Sequence, residues 1–130
     1  MSGPLSDYAS VFLLAVGIGS LALLAVPLVL APRAWARVLG WATPLDADLT
    51  VYFGRCLGAV IGVLAVAAFV AAGSPAVQPF FFGIAIASFA LMVIVHGWGA
   101  LRGIQPRTET LETGGWLALL VVAVLCFPAG

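Results

Sequence analysis

Four ionisable side chains in this sequence have types and spacing that could do chemistry: Arg55, His96, Glu109 and Glu112, with Asp46 and Asp48 at their edge. Arg55 lies about one turn into an apolar segment, His96 about one and a half turns before Arg102, and Glu112 about one turn ahead of Trp116. If those segments are helices, Arg55, His96 and Glu112 share one depth near one end of each. An ionised side chain inside a bilayer costs about 2.5–3.5 kcal/mol on insertion scales, so such groups pair or stay hydrated. Pairing Arg55 with Glu112 neutralises both and ties their segments together. Otherwise Arg55 reaches the interface alone, or pairs with Asp48. For His96 the expected role is a tautomer-fixed hydrogen-bond partner in a helix interface, ahead of a ligand or proton relay. Glu109 suits the first turn of a helix.

Other chemistries find little support. One histidine cannot give bis-histidine haem ligation, and there is no Cys-x-x-Cys-His. Zinc needs more converging ligands than the His96 layer offers from sequence, so no metal site is expected. Gly17-Ile18-Gly19 and Gly97-Trp98-Gly99 lie inside apolar runs, where helix packing explains them better than a phosphate cradle. Ser88 is more than two turns from His96 along one helix, too far for a nucleophile and base. No cofactor is identified, and no catalytic residue is assigned.

The elements that must position these residues follow from composition. Of 130 residues, 8% are charged, against about 25% in soluble domains, and the mean hydropathy is +1.23. Such a chain cannot cover a water-facing surface, so its solvent is lipid. There is no lysine and no net charge, which excludes nucleic acid as a partner. Residues 1–130 form a single domain, an all-α integral membrane protein with a bundle of four transmembrane helices. The helices are expected over about 8–30, 51–73, 79–101 and 109–127, each long enough for a ~30 Å hydrocarbon core. The first competes with a signal peptide, since Ala34-Trp35-Ala36 mimics a cleavage site. A start with no positive charge, which carries Asp7, and the long apolar run favour a retained helix.

Local signals refine this outline. Pro27 lacks a donor and frees the Leu23 carbonyl, predicting a mild kink. Between the first two spans, Pro32 starts a short interfacial helix. Trp35, Val38, Leu39 and Ala42 lie on one face, Arg33 and Arg37 on the other, and Thr43-Pro44 ends it. Asp46 and Asp48 sit at the start of the second span. Gly54, Gly58 and Gly62 recur at four-residue spacing, a face on which another helix approaches closely; this glycine zipper marks the second span as central. Gly73-Ser74-Pro75 makes a turn, Thr108 is the expected N-cap of the fourth span, and Gly114-Gly115 interrupts it. Cys56 and Cys126 fall on opposite membrane faces, roughly 20–25 Å apart, and form no disulfide. The halves share a hairpin pattern but no residue-level repeat.

All five arginines (Arg33, Arg37, Arg55, Arg102, Arg107) lie in or beside the two connections on one side. The positive-inside rule places those connections in the cytoplasm and both termini outside, with Trp35, Trp41, Trp98 and Trp116 as anchors at the cytoplasmic interface. The expected setting is the bacterial inner (plasma) membrane. In helix count, length and composition the chain resembles the small bacterial four-helix membrane proteins of the DoxX-like kind. No motif carries that resemblance and it implies no residue roles. The functional expectation is a structural or accessory subunit without catalytic activity, whose partners are the lipid bilayer and other membrane subunits or itself. The alternative is a binder of, or enzyme on, a lipid-soluble ligand such as a quinone or acyl chain. Arg55, His96 and Glu112 would then form the polar end of an apolar pocket.

Overall fold

The computed structural model describes residues 2–44 and 48–128; Asp46, placed by the sequence at the edge of the polar group, lies outside the described residues. The described chain is all-helical, with four helices long and apolar enough to cross a membrane: α1 (Ser6–Leu30), α3 (Asp48–Ala72), α4 (Gln78–Arg102) and α5 (Arg107–Leu125). A short helix, α2 (Pro32–Val38), joins the first two.

Proline and glycine set the boundaries. Within α1 the backbone passes from α-helix into a π turn over Leu21–Ala25 and back to α-helix over Val26–Leu30. The register shift falls just before Pro27, whose missing N–H cannot complete the α ladder at Leu23. Ala31, at φ −143° and ψ 57°, breaks the helix because the Pro32 ring disfavours a helical residue ahead of it. α2 does not run to Thr43-Pro44. Gly40 at φ +88° ends it after Val38, with Gly40 N–H on the Arg37 carbonyl and Trp41 N–H on the Ala36 carbonyl, each at 2.9 Å. This pair of hydrogen bonds satisfies the Arg37 and Ala36 carbonyls before Thr43 is reached. The same device ends α4, where Gly103 stands at φ +63° and Ile104 N–H meets the Gly99 carbonyl.

Two further expectations are corrected at α5. Its N-cap is Pro106, extended at φ −61° and ψ 160°, and Thr108 is already inside the helix, its hydroxyl donating to the Leu39 carbonyl. Gly114-Gly115 does not interrupt the helix, which runs unbroken to Leu125. Nothing stands within 4 Å of a Cβ built at either glycine, so they cost some helix propensity without breaking the ladder.

The helices pair as α1 with α3 and α4 with α5. The four spans share a core at the end where α1 begins and α5 stops. Phe12 and Leu13 of α1, Ala68 and Ala71 of α3, Phe81, Phe82, Ala85 and Phe89 of α4, and Ala123 of α5 with Cys126 beyond it form one cluster. Phe82 is fully buried, with ring centroids 5.6 Å from Phe12 and 6.0 Å from Phe127. Polar ties close the same end: Ser10 donates to the Ala72 carbonyl at 2.9 Å, and Gln78 Nε2 donates to the Ser10 hydroxyl at 2.9 Å.

Candidate functional site

At the opposite, arginine-bearing end, the last turns of α4 and the first turns of α5 bring three of the four sequence candidates together. His96 is buried, and its Nε2 lies 3.0 Å from Glu109 Oε2 and 3.9 Å from Glu112 Oε2. The tight loop behind Gly103 sets this meeting by turning α5 back along α4. Glu109 and Glu112, three residues apart, then share the helix face that looks at His96. His96 Nδ1 lies 2.9 Å from the Met92 carbonyl, one turn back along its own helix. A carbonyl only accepts, so the ring proton belongs to Nδ1 and the tautomer is set by the partner.

Trp41 completes the layer from the far side of the chain. Its indole Nε1 donates to Glu109 Oε1 at 2.8 Å, leaving Oε2 turned toward His96. The connection after α2 docks on the start of α5 at three successive residues. The Leu39 carbonyl accepts from Thr108, Gly40 faces Pro106, and Trp41 holds Glu109. Gly40 is needed twice there, for its positive φ and because a Cβ would stand 3.3 Å from Pro106 Cβ. Gln105 donates to the His96 carbonyl at 3.0 Å and to the Thr110 hydroxyl at 3.2 Å, binding the loop to both helices. Gly99 makes room for it, since a Cβ there would collide with the Gln105 amide.

Arg55 is not part of this group. Its Nε donates to the Val29 carbonyl at 3.3 Å, and among the described residues no carboxylate oxygen stands within ion-pair distance of its guanidinium. Val29 belongs to the last turn of α1, whose carbonyls have no helical partner, and a guanidinium there also suits the helix dipole. Arg55 therefore caps α1 instead of meeting Glu112. With Arg33 and Arg37 it lines an open depression of about 350 Å³, which the His96 layer does not reach. Arg55, His96 and Glu112 do not line one pocket.

The glycines of α3 serve the pairing with α1. A Cβ on Gly58 would lie 2.9 Å from the Ala25 carbonyl oxygen, Leu28 Cβ and Val29 Cγ2, and one on Gly54 would lie 2.7 Å from Pro32 Cβ. Gly62 is looser, with Ala25 Cβ at 3.8 Å. This face is occupied within the chain. Trp116 also packs within the chain. Its ring packs between Phe89 and His96, each centroid 6.0 Å away.

Sequence reasoning missed Trp41, Gln105, Ser10 and Gln78 as tying residues. Gln105, two residues past Gly103 and just ahead of Pro106, had a signal as the one amide in a tight turn. Trp41 did not, because its partner is 68 residues away. The chain matches no protein-family model, no curated protein and no solved structure.

Proposed function

We propose that this chain is a membrane-embedded structural or accessory subunit without catalytic activity, which self-associates or docks on a larger membrane assembly. The observation that carries this reading is where the polar side chains of the spans go. Ser10 and Gln78 tie α1 to the turn between α3 and α4, Arg55 caps α1, and Glu109 holds Trp41. Each is spent on holding the chain to itself. The two depressions at the arginine end, about 350 and 270 Å³, are open, unlike the enclosed apolar pocket that a quinone or acyl chain requires. In this reading α2 lies in the membrane interface with Arg33 and Arg37 toward headgroups, and the arginine-bearing connections face the cytoplasm of a bacterial inner membrane.

Two measurements test it. Native mass spectrometry of gently extracted protein should give a mass above the monomer, either a multiple of the chain or the chain with a second subunit. A monomer carrying a small lipid-soluble molecule would replace this reading with the ligand-binding one. Orientation is read separately, in a chain whose exposed Cys56 is changed to serine. An impermeant thiol reagent should label Ala76→Cys from outside and leave Ile104→Cys unlabelled; the reverse pattern inverts the topology.

A further inference from the structure

The His96 layer holds an arrangement that a structural tie does not need. His96 is 7% exposed, and its Nδ1 proton is committed to the Met92 carbonyl. When the ring is neutral Nε2 therefore carries a lone pair, and it faces Glu109 Oε2 at 3.0 Å and Glu112 Oε2 at 3.9 Å. Ionised carboxylates also offer only lone pairs, and among the described residues no donor reaches Nε2. Lone pairs converging on one point around a nine-tenths-buried imidazole call for a cation between them. We propose that His96, Glu109 and Glu112 bind one first-row divalent cation of the Zn²⁺ or Mn²⁺ class.

Geometry, support and charge agree on this. The three donor atoms lie within 4.8 Å of one another. Two ligands at about 2.0–2.2 Å from a tetrahedral ion stand roughly 3.4 Å apart, a spacing that lies between the Nε2 distances to Glu109 (3.0 Å) and Glu112 (3.9 Å), so small rotations of the two carboxylates reach it. Glu112 has room to make it, its side chain being 35% exposed. Two of the ligands carry the outer contacts that metal ligands use: the Met92 carbonyl fixes the imidazole, and Trp41 Nε1 holds the other oxygen of Glu109. A neutral imidazole with two carboxylates carries two negative charges, which a divalent ion cancels and one proton does not. The imidazole selects against Mg²⁺ and Ca²⁺, which take all-oxygen shells. Three protein ligands leave a coordination position for water or an anion. Further along α5, the buried donors Thr113 Oγ1 and Trp116 Nε1 have no hydrogen-bond partner among the described residues. This site does not depend on whether the bundle docks on a partner.

The test uses the full chain in mild detergent, purified through a tag without histidines in a Cys56→Ser background and stripped by a chelator. Calorimetric titration with Zn²⁺ and with Mn²⁺, and the Mn²⁺ electron paramagnetic resonance signal, should report one ion per chain. Glu112→Gln should weaken binding at least tenfold while the helical circular dichroism stays unchanged. Trp41→Phe, which touches no ion, should weaken it roughly 10–100-fold. His96→Gln should abolish it; if that variant does not fold, Glu112→Gln and Trp41→Phe decide. Absence of stoichiometric uptake by the folded parent, even in large metal excess, overturns the proposal and leaves a proton as the cation in the layer. Equal affinities in the parent and Glu112→Gln overturn it as well.

Discussion

The two ends of this bundle are held by different physics. At the end where α1 begins and α5 stops, all four spans meet through rings and small residues, with Phe82 at the centre between Phe12 and Phe127. At the arginine end, contact between the two helix pairs runs through a connection docked on a helix start, with Trp41 on Glu109 and Thr108 on the Leu39 carbonyl. Dispersion is non-directional, so the aromatic end tolerates small rotations of a helix. The polar end does not, because a hydrogen bond weakens steeply off its axis. In a chain apolar on nearly every face, the few directional contacts must set how each helix is turned about its own axis.

The aromatic end depends most on Phe82. Phe82→Ala should cost about 3 kcal/mol, the low end for such a truncation, since the lipid-embedded reference state keeps the ring out of water. Thermal unfolding in detergent measures this, and a loss below that of any substitution at the arginine end would mean that the aromatic cluster is not the main anchor. Gly58→Leu comes next, at about 2 kcal/mol, because a side chain there must displace the Ala25 carbonyl and the Leu28 and Val29 side chains. Gly62→Leu on the same helix is the control and should cost clearly less, since Gly62 has space before Ala25. Equal losses at the two positions would mean that α1 and α3 are not in this register.

These contacts also show what the sequence could carry. Span positions follow from hydropathy and length, and their ends follow from Pro27, Pro32, Gly73, Gly103 and Pro106, residues whose backbone limits act locally. Gly40 could have been read as the end of α2 by the same logic, three residues before Thr43. The depth of the polar layer was legible too, since counting turns places His96 near Glu112. Rotation was not. A helix hydrophobic all round gives no moment to say which way a residue points, and Arg55 at the expected depth turns toward Val29 and away from α5. The partner of Glu109 was equally hidden, because Trp41 reaches it only once two connections have docked.

At the polar end the expected effect is smaller. Trp41→Phe keeps the ring and removes the donor to Glu109, and should cost about 1 kcal/mol in metal-free protein, the scale of one net hydrogen bond at a half-open site. Combined with Glu109→Gln it should cost less than the sum of the single losses, because the two substitutions break the same contact. Additive losses would mean that the connection does not rest on Glu109.

The smallest expected effect is a coupling close to zero. Charge alone recommends Arg55 and Glu112 as partners, yet the guanidinium caps α1 while the carboxylate faces His96. The two belong to different helix pairs. Arg55→Met should lose about 0.5–1 kcal/mol, the value of a cation at a helix C-terminus, and this loss should shrink as salt is raised. Glu112→Gln removes one charge from the His96 layer and leaves the end of α1 untouched. With no shared partner, the double variant should lose the sum of the single losses to within about 0.3–0.5 kcal/mol. A larger interaction energy would mean that the arginine crosses between the pairs and that the ends of the bundle are less distinct than their contacts indicate. Additivity, beside the coupling of Trp41 with Glu109, would assign the joining of the two pairs at this end to the docked connection and not to a buried ion pair.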